Sequence, residues 1–507
     1  MDVVRWRRRG VARRADAGGT GVHLEFGADP ATSMVVSWLT DGPVRRAAVR
    51  FAPLEAGEGR KGRAHAQTRA YRDDRRQRVH VQHATLRGLR PDTRYRYEIE
   101  GGLAGPEPFT GEFRTAPAPG AEAAFTFTCF GDHGTDQPDD PFGTPASGEV
   151  VAAVEARAPL FNLVLGDLSY ASLRHDSARV WADWFRMISP SARRRPWLPV
   201  AGNHESEHGV GRFGLDAYQA YFQTPDNGCG EAFRGLWYAF TVGRARFVVL
   251  FGEDVCYQDH GEVYLRGFSH GRQTAWLDRT LRSARADPAV DWIVVAVHQV
   301  AMSTANYHNG GDLGLREEWL PLFDRHEVDL VLCGHEHHYE RTHPVRGVVP
   351  GSPALTPRPG AVPAVVAAGP SPTAPTAAAR SAVAEPEQVD TTAGAVHVIV
   401  GTGGSSSPSA QVLLEPPAGR VVVGVDAQSG RRRARYALEE APWLAMRSPD
   451  HPYAFAELSV DPGTPGGLTT IRLTARDSLA PDAPPFDEVV LTRPRGSTAQ
   501  TAAQSAN

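Results

Sequence analysis

FNLVLGDLSY, residues 161–170, is an apolar strand pattern that runs straight into a Gly-Asp turn. The same layout stands at FTFTCFGDHG (125–134), WLPVAGNHE (197–205), DWIVVAVHQ (291–299) and VDLVLCGHEH (328–337). Helical patterns separate these junctions: ASGEVVAAVEARA, RVWADWFRMI, GRQTAWLDRTLRSARA and LREEWLPLFDRHE. Strands alternating with helices predict a layered α/β domain. Asp132, Asp167 and Asn203 follow one another at intervals of 35 and 36 residues, about one strand-helix-strand unit. In open α/β sheets the C-terminal strand ends share an edge where ligands bind. That puts Asp132, Asp167, Asn203, His298, His335 and His337 on one rim.

Carboxylates, an amide oxygen and imidazoles converging on a rim suit borderline divalent or ferric ions better than calcium, which prefers all-oxygen shells. Two metals about 3.5–4 Å apart need a bridging group, and Asp167, in the middle of the set, is the natural bridge. A single Gly-Asp pair would carry little, because a lone Asp at a strand end more often caps a helix. Five ordered junctions, each with a ligand-type residue, carry much more. CGHEHHYER (333–341) adds His338 to the cluster, and Tyr339 stands where a helical His-Glu-x-x-His zinc motif needs its second histidine.

The bulk properties bound the rest. The 507 residues are 41% hydrophobic and 22% charged, with a net charge of −4, which fits a globular chain of two to four domains. Nothing global points to nucleic acid or to a membrane, so neither is an expected partner. The basic opening MDVVRWRRRGVARR lacks the apolar stretch of a signal peptide. The expected compartment is therefore the cytoplasm by default, with export if a leader precedes Met1. Cys129 and Cys333 close apolar strands as buried thiols; Cys229 and Cys256 pair only in an oxidising compartment. Nothing fixes the oligomeric state.

Residues 1–20 form a basic tail. Residues 21–117 alternate apolar and polar in short runs, and HATLRGLRPDTRYRYEI carries Leu89, Pro91, Thr93, Tyr95 and Tyr97 in the tyrosine-corner pattern of a fibronectin type III-like sandwich. APAPGAEA (116–123) reads as a linker, and 122–480 as the α/β domain. Within it, 346–394 is Pro/Ala/Ser-rich without aromatics, a loosely ordered insertion. Removing 350–390 is expected to leave the fold intact. AVHVIVGTGG resumes the sheet, FAELSVDPGTPGGLTTIRLTA reads as a closing hairpin, and 481–507 as a C-terminal tail.

GDHG (131–134), GDLSY (166–170), GNHE (202–205), the histidine at 298 and GHEH (334–337) together resemble the five ordered motifs of purple acid phosphatases, in the calcineurin-like metallophosphoesterase superfamily. The resemblance extends to GVHLEFGADPATSMVVSW, which is similar to the opening of the family's fibronectin-like domain. It implies a metallophosphoesterase β-sandwich flanked by helices and preceded by an all-β domain. It also implies an Fe(III) site at Asp132, Tyr170, His337 and bridging Asp167. A second site for a divalent metal (Zn, Fe or Mn) would use Asn203, His298, His335 and the same Asp167. Tyr170 separates this subfamily from relatives without a tyrosinate ligand, and a hard phenolate suits Fe(III).

His204 and His308 are the candidates for proton transfer, although Tyr307 stands where the family often has a second histidine. His338 reads as a residue behind the ligands or an exposed one, His343 as structural, and Glu205 and Asp136 as orienters of ligands. The implied reaction is acid phosphatase chemistry: metal-bound hydroxide attacks a small phosphate monoester and a histidine assists the leaving group. A phosphodiesterase or nucleotide hydrolase would use the same metals. A non-catalytic binder stands further off, since no ligand position is missing.

Overall fold

The computed structural model describes residues 21–495, apart from 56–60, 103–108, 259–262, 307–308, 361–385, 407–412 and 429–430. Two four-stranded antiparallel sheets open the chain. One orders His23–Phe26, Ser33–Thr40, Arg78–Arg87 and Gln67–Arg72; the other orders Gly62–His65, Ala48–Pro53, Arg94–Glu100 and Phe109–Arg114. Arg94–Glu100 shows why they pack as a sandwich: Tyr95, Tyr97 and Ile99 are buried while Arg94 and Arg96 are exposed, a period of two. The Arg90 N–H donates to the Tyr95 hydroxyl at 3.0 Å, closing the tyrosine corner.

The larger part is built on two seven-stranded sheets. The first orders Trp197–Pro199, Phe161–Val164, Phe125–Phe130, Ala454–Asp461, Leu468–Asp477, Asp487–Pro494 and Glu387–Asp390. The second orders Tyr238–Val242, Ala245–Leu250, Trp292–Val297, Leu330–Cys333, Val396–Val400, Tyr339–Thr342 and Leu444–Ser448. The strands leading to the candidate ligands pair in parallel within each sheet, so their C-terminal ends face the same way. Thr144 caps the helix Pro145–Ala156 through its side chain. Along Ser177–Ala192, Trp181, Trp184, Phe185 and Ile188 form the buried face at helical spacing. The pattern LREEWLPLFDRHE is split into Leu313–Glu318 and Leu320–Arg325, with Pro321 in the first turn of the second helix, where its missing N–H costs nothing.

Two expectations are corrected. The segment 346–394 is not loose at its ends. Ala354 is buried against Leu313 and Val421, and Glu387–Asp390 is a parallel edge strand beside Asp487–Pro494 with Val389 buried. Removing 350–390 would therefore strip an edge strand and part of a core; the Pro/Ala-rich centre, 361–385, lies outside the described residues. Nor is all of 481–507 a tail. FDEVVLTRP alternates, and its Phe486, Val489 and Leu491 join the main core. Asp487 accepts from Tyr339 Oη and Arg341 Nε, both at 2.7 Å, tying one sheet to the other. The tail 1–20 and residues 496–507 are outside the described residues. All four cysteines are free thiols.

The 116–123 segment is tethered by the Gly120 N–H to Gly243 O at 2.7 Å, and one hydrophobic cluster runs from Val22 to Leu491 across both parts. Their interface also buries polar groups: Glu25 accepts the Gln223 N–H at 2.9 Å, and His83 and His23 meet the carbonyls of Ala220 and Tyr221. Burial pushes the Glu25 carboxyl up to about 8, against the pull of Gln223, Arg69 and Ser37. Glu25 thus stays protonated in the folded chain while it ionises near 4.5 when unfolded. Stability that is present at acid pH should then be lost as pH rises from the unfolded value through 8, by roughly 2–5 kcal/mol. Glu25→Gln is expected to flatten that loss when denaturation midpoints are compared at pH 5 and pH 9; equal slopes would show that Glu25 is ionised in the folded protein.

Candidate metal centre

Each candidate ligand leaves the C-terminal end of a strand, but the rim is shared by two sheets. Asp132, Asp167 and Asn203 come from the first sheet, and His298, His335 and His337 from the second. Asp132, Asp167, Tyr170 and His335 all hold positive φ, from 51° to 71°. Such backbone costs about 1–3 kcal/mol per residue for bulky side chains, less for Asp, and persists where the surroundings impose it. Glu205 is one cause: its buried carboxylate accepts the N–H groups of Asp167 and Leu168 at 2.9 Å and of Gly202 at 2.7 Å.

The motif glycines are explained by space. A Cβ on Gly202 would collide with Asp167 Oδ1, and one on Gly166 would stand 2.5 Å from His298 Nδ1. Gly202→Ala is therefore expected to displace Asp167 and lower bound metal and turnover together, about a hundredfold in kcat/KM. Circular dichroism should stay native, since the position is not in the left-handed region; full activity would mean that Asp167 does not need its present place.

Two groups of donor atoms result. Asp132 Oδ1, Tyr170 Oη and His337 Nε2 lie 3.1–3.3 Å from one another. In the other group, His298 Nε2 lies 3.2 Å from Asp167 Oδ2 and 3.1 Å from Asn203 Oδ1. His335 Nδ1 completes it, 3.0 Å from Asn203 Oδ1 and 3.2 Å from His298 Nε2. Oxygens or nitrogens of Asp132, Asp167 and His298 all fall within 4.8 Å, so the groups adjoin at Asp167.

The second group fits a cation by its hydrogen bonding. His298 Nδ1 donates to Leu165 O at 2.6 Å, and a carbonyl only accepts, so the proton sits there and Nε2 offers a lone pair. Gln258 Oε1, 2.6 Å from His335 Nε2, likewise takes that proton and leaves Nδ1 bare. Four acceptors then point at one another, an arrangement that favours a shared positive charge. The electrostatics agree. Burial opposes a charged His298, yet Asp167 and Asp132 push its imidazole up to about 10. Burial also works to raise Asp167, but His298 and His204 hold its carboxyl well below the usual range. Burial, with Asp132 and Asp167, drives the Tyr170 phenol well above its ordinary value. Each shift expresses a centre short of positive charge.

Comparison with known proteins agrees with this geometry. Residues 20–115 match the family model of the purple acid phosphatase N-terminal domain, and 125–339 match that of calcineurin-like phosphoesterases. The chain belongs to the purple acid phosphatase family. An uncharacterised protein of Mycobacterium tuberculosis H37Rv is 43% identical over 506 residues, covering 97% of this chain and 90% of its own length. The Fe(3+)-Zn(2+) purple acid phosphatase 12 of Arabidopsis thaliana is 28% identical over 332 residues, 64% of this chain and 66% of that protein. The solved purple acid phosphatase of yellow lupin seeds shares the fold, with a TM-score of 0.64 and 20% identity over 94% of this chain and 75% of that one. The architecture is thus a metallophosphoesterase sandwich behind an all-β domain.

All seven proposed ligands of this purple acid phosphatase family member are gathered at the rim. His204 is half-buried beside them, its ring 4.8 Å from that of Tyr170 and its Nδ1 2.9 Å from Ser172 Oγ. His308 lies outside the described residues; its neighbour Asn309 donates to His335 O at 2.8 Å. His338 is buried, not exposed, 3.1 Å from Glu340 Oε2. Asp136 is no orienter of ligands: it pairs with Arg186 on the helix Ser177–Ala192. His343 is anchored by its N–H to Trp443 O. Sequence reading missed Ser405, which accepts from Tyr170 Oη at 3.1 Å, and Gln258, which sets the His335 tautomer. It also missed Phe142, 48% exposed and 4.6 Å from the Tyr170 ring at the rim. None stands at a strand-end turn of the kind that marked Asp132, Asp167, Asn203 and His335.

Proposed function

We propose that the protein hydrolyses phosphate monoesters at a dinuclear centre, with Asp132, Tyr170 and His337 holding Fe(III), Asn203, His298 and His335 holding a divalent ion, and Asp167 shared. The Fe(III)–Zn(II) pairing in the name of the Arabidopsis relative supports iron with zinc, and iron or manganese are the alternatives for the second position. Bound there, the two cations would neutralise an anionic phosphate and activate water for attack.

The chain's own residues do the remainder. Leu165 O and Gln258 fix the imidazole tautomers so that the correct nitrogens face inward. The His204 N–H donates to Asp167 Oδ1 at 2.9 Å and holds that carboxylate in place. With Nδ1 engaged by Ser172, His204 has Nε2 to exchange a proton with the leaving-group oxygen. His308 is the second candidate for that task. The observation that carries the reading is Tyr170 Oη, turned into the donor group of Asp132 and His337.

The test is a comparison of p-nitrophenyl phosphate with bis(p-nitrophenyl) phosphate on metal-loaded protein. The monoester is expected to give the higher kcat/KM by about tenfold or more. His204→Ala should slow phenyl phosphate, a poor leaving group, by about a hundredfold and p-nitrophenyl phosphate much less. Preference for the diester would make the protein a phosphodiesterase on the same centre.

A further inference from the structure

The two parts of the chain meet along a groove of about 740 Å³ lined by Arg94, Arg96, Arg114, Arg193, Arg194 and Arg195. Three come from neighbouring strands of the N-terminal sandwich, and three follow the helix Ser177–Ala192. A smaller hollow of about 270 Å³ shares Arg114, Arg194 and Arg195 and adds Arg157. A chain with a net charge of −4 thus concentrates six guanidinium groups in one concavity.

Their neighbours do not neutralise them. Glu112 alone serves both Arg94 and Arg96; Asp92 pairs with Arg114, and Glu155 with Arg195. Arg193 and Arg194 have no ion pair among the described residues, so six cations face three anions. The pairs of Arg94, Arg96 and Arg114 are exposed, and such pairs hold a side chain only weakly. Arg94 also stands directly opposite Arg114 in the ladder, a like-charge pairing that costs stability. A helix C-terminus favours basic residues and accounts for Arg193 to Arg195 alone. It does not account for the three on the facing sheet.

We propose that this groove binds a compact oligophosphate, a short chain or small molecule carrying several phosphate groups, at a site separate from the metal centre. Guanidinium forks match phosphate oxygens in pairs, and a concavity between two rigid parts pre-organises them. The hollow shape disfavours a planar membrane. Phe113 in the lining is buried, and among the described residues no exposed aromatic ring lines the groove to stack bases, as single-stranded nucleic acid binders require. Arg195 precedes the strand Trp197–Pro199, whereas Asn203 follows it, so groove and metal centre lie at opposite ends of that strand.

The experiment is calorimetric titration of the full-length, metal-loaded protein with sodium tripolyphosphate at low ionic strength. Two binding events are expected, one at the metal centre and one at the groove. Arg96→Glu combined with Arg194→Glu should weaken the second at least about tenfold and leave p-nitrophenyl phosphate turnover unchanged, which also reports an intact fold. Arg45→Glu with Arg78→Glu, an equal charge change elsewhere on the same sandwich, should leave both events in place. A wild type with no event that the Arg96→Glu/Arg194→Glu pair weakens, or equal weakening by both pairs, would overturn the proposal. Tighter binding of a short oligothymidylate, abolished by the groove pair, would overturn the oligophosphate assignment in favour of nucleic acid. Loss of only the metal-centre event would count against the proposed catalytic reading and leave the groove standing.

Discussion

Asp167→Ala is expected to empty both metal positions and to lower kcat/KM for a phosphate monoester by about a thousandfold. The reason is its location. Asp167 Oδ2 lies 3.2 Å from His298 Nε2 in the second donor group, and its carboxylate is close enough to join the same cluster as Asp132. Every other proposed ligand belongs to one group. Removing the shared carboxylate also deletes the largest local counter-charge to His298 and the acceptor for the His204 N–H. A centre contributing about 4 kcal/mol to the transition state gives the thousandfold figure. Metal analysis checks it: one metal retained at full occupancy would show that Asp167 serves a single ion. Asp132→Ala is the useful contrast, because it should lose the ion of its own group first.

Tyr170→Phe should bleach the protein without unfolding it. A phenolate bound to Fe(III) has a charge-transfer band in the visible, and no other side chain in the donor set supplies one. The ring of Phe would keep the packing of Tyr170 between Phe142 at 4.6 Å and His204 at 4.8 Å, so the cavity stays filled. What is lost is the hydroxyl that reaches Asp132, His337 and Ser405. Turnover is expected to fall about tenfold, since Asp132, His337 and Asp167 remain. A variant with an unchanged spectrum would assign the colour to another group and remove Tyr170 from the ligands.

The ligands were legible in the sequence because metal chemistry restricts residue type and strand ends restrict position. Asp132, Asp167 and Asn203 each follow a glycine, and the collisions at Gly166 and Gly202 explain why the packed site requires it before Asp167 and Asn203. Helices were legible where a buried face repeats at helical spacing, as in Trp181, Trp184, Phe185 and Ile188. The division of the rim between two sheets was not legible, because strand pairing is a long-range choice. The strand Phe125–Phe130 pairs with Ala454–Asp461, more than 300 residues later, and no local pattern announces it. The same holds for Glu387–Asp390, whose neighbour is Asp487–Pro494. Proline and alanine around the one, and the tail-like sequence after the other, concealed two short strands that alternate only over a few residues. Ser405 was hidden for a different reason: in GTGGSSS its hydroxyl has no distinguishing context until the fold brings Tyr170 beside it.

Metal stoichiometry of the purified wild-type protein, read alongside its visible spectrum, tests the central claim most directly. The proposed dinuclear reading predicts two metal ions per chain, one of them iron, and a pink to purple solution when oxidised. Colourless protein holding two zinc or manganese ions would contradict the Tyr170–Fe(III) assignment, and protein that binds one ion or none when metals are supplied would contradict the dinuclear centre itself.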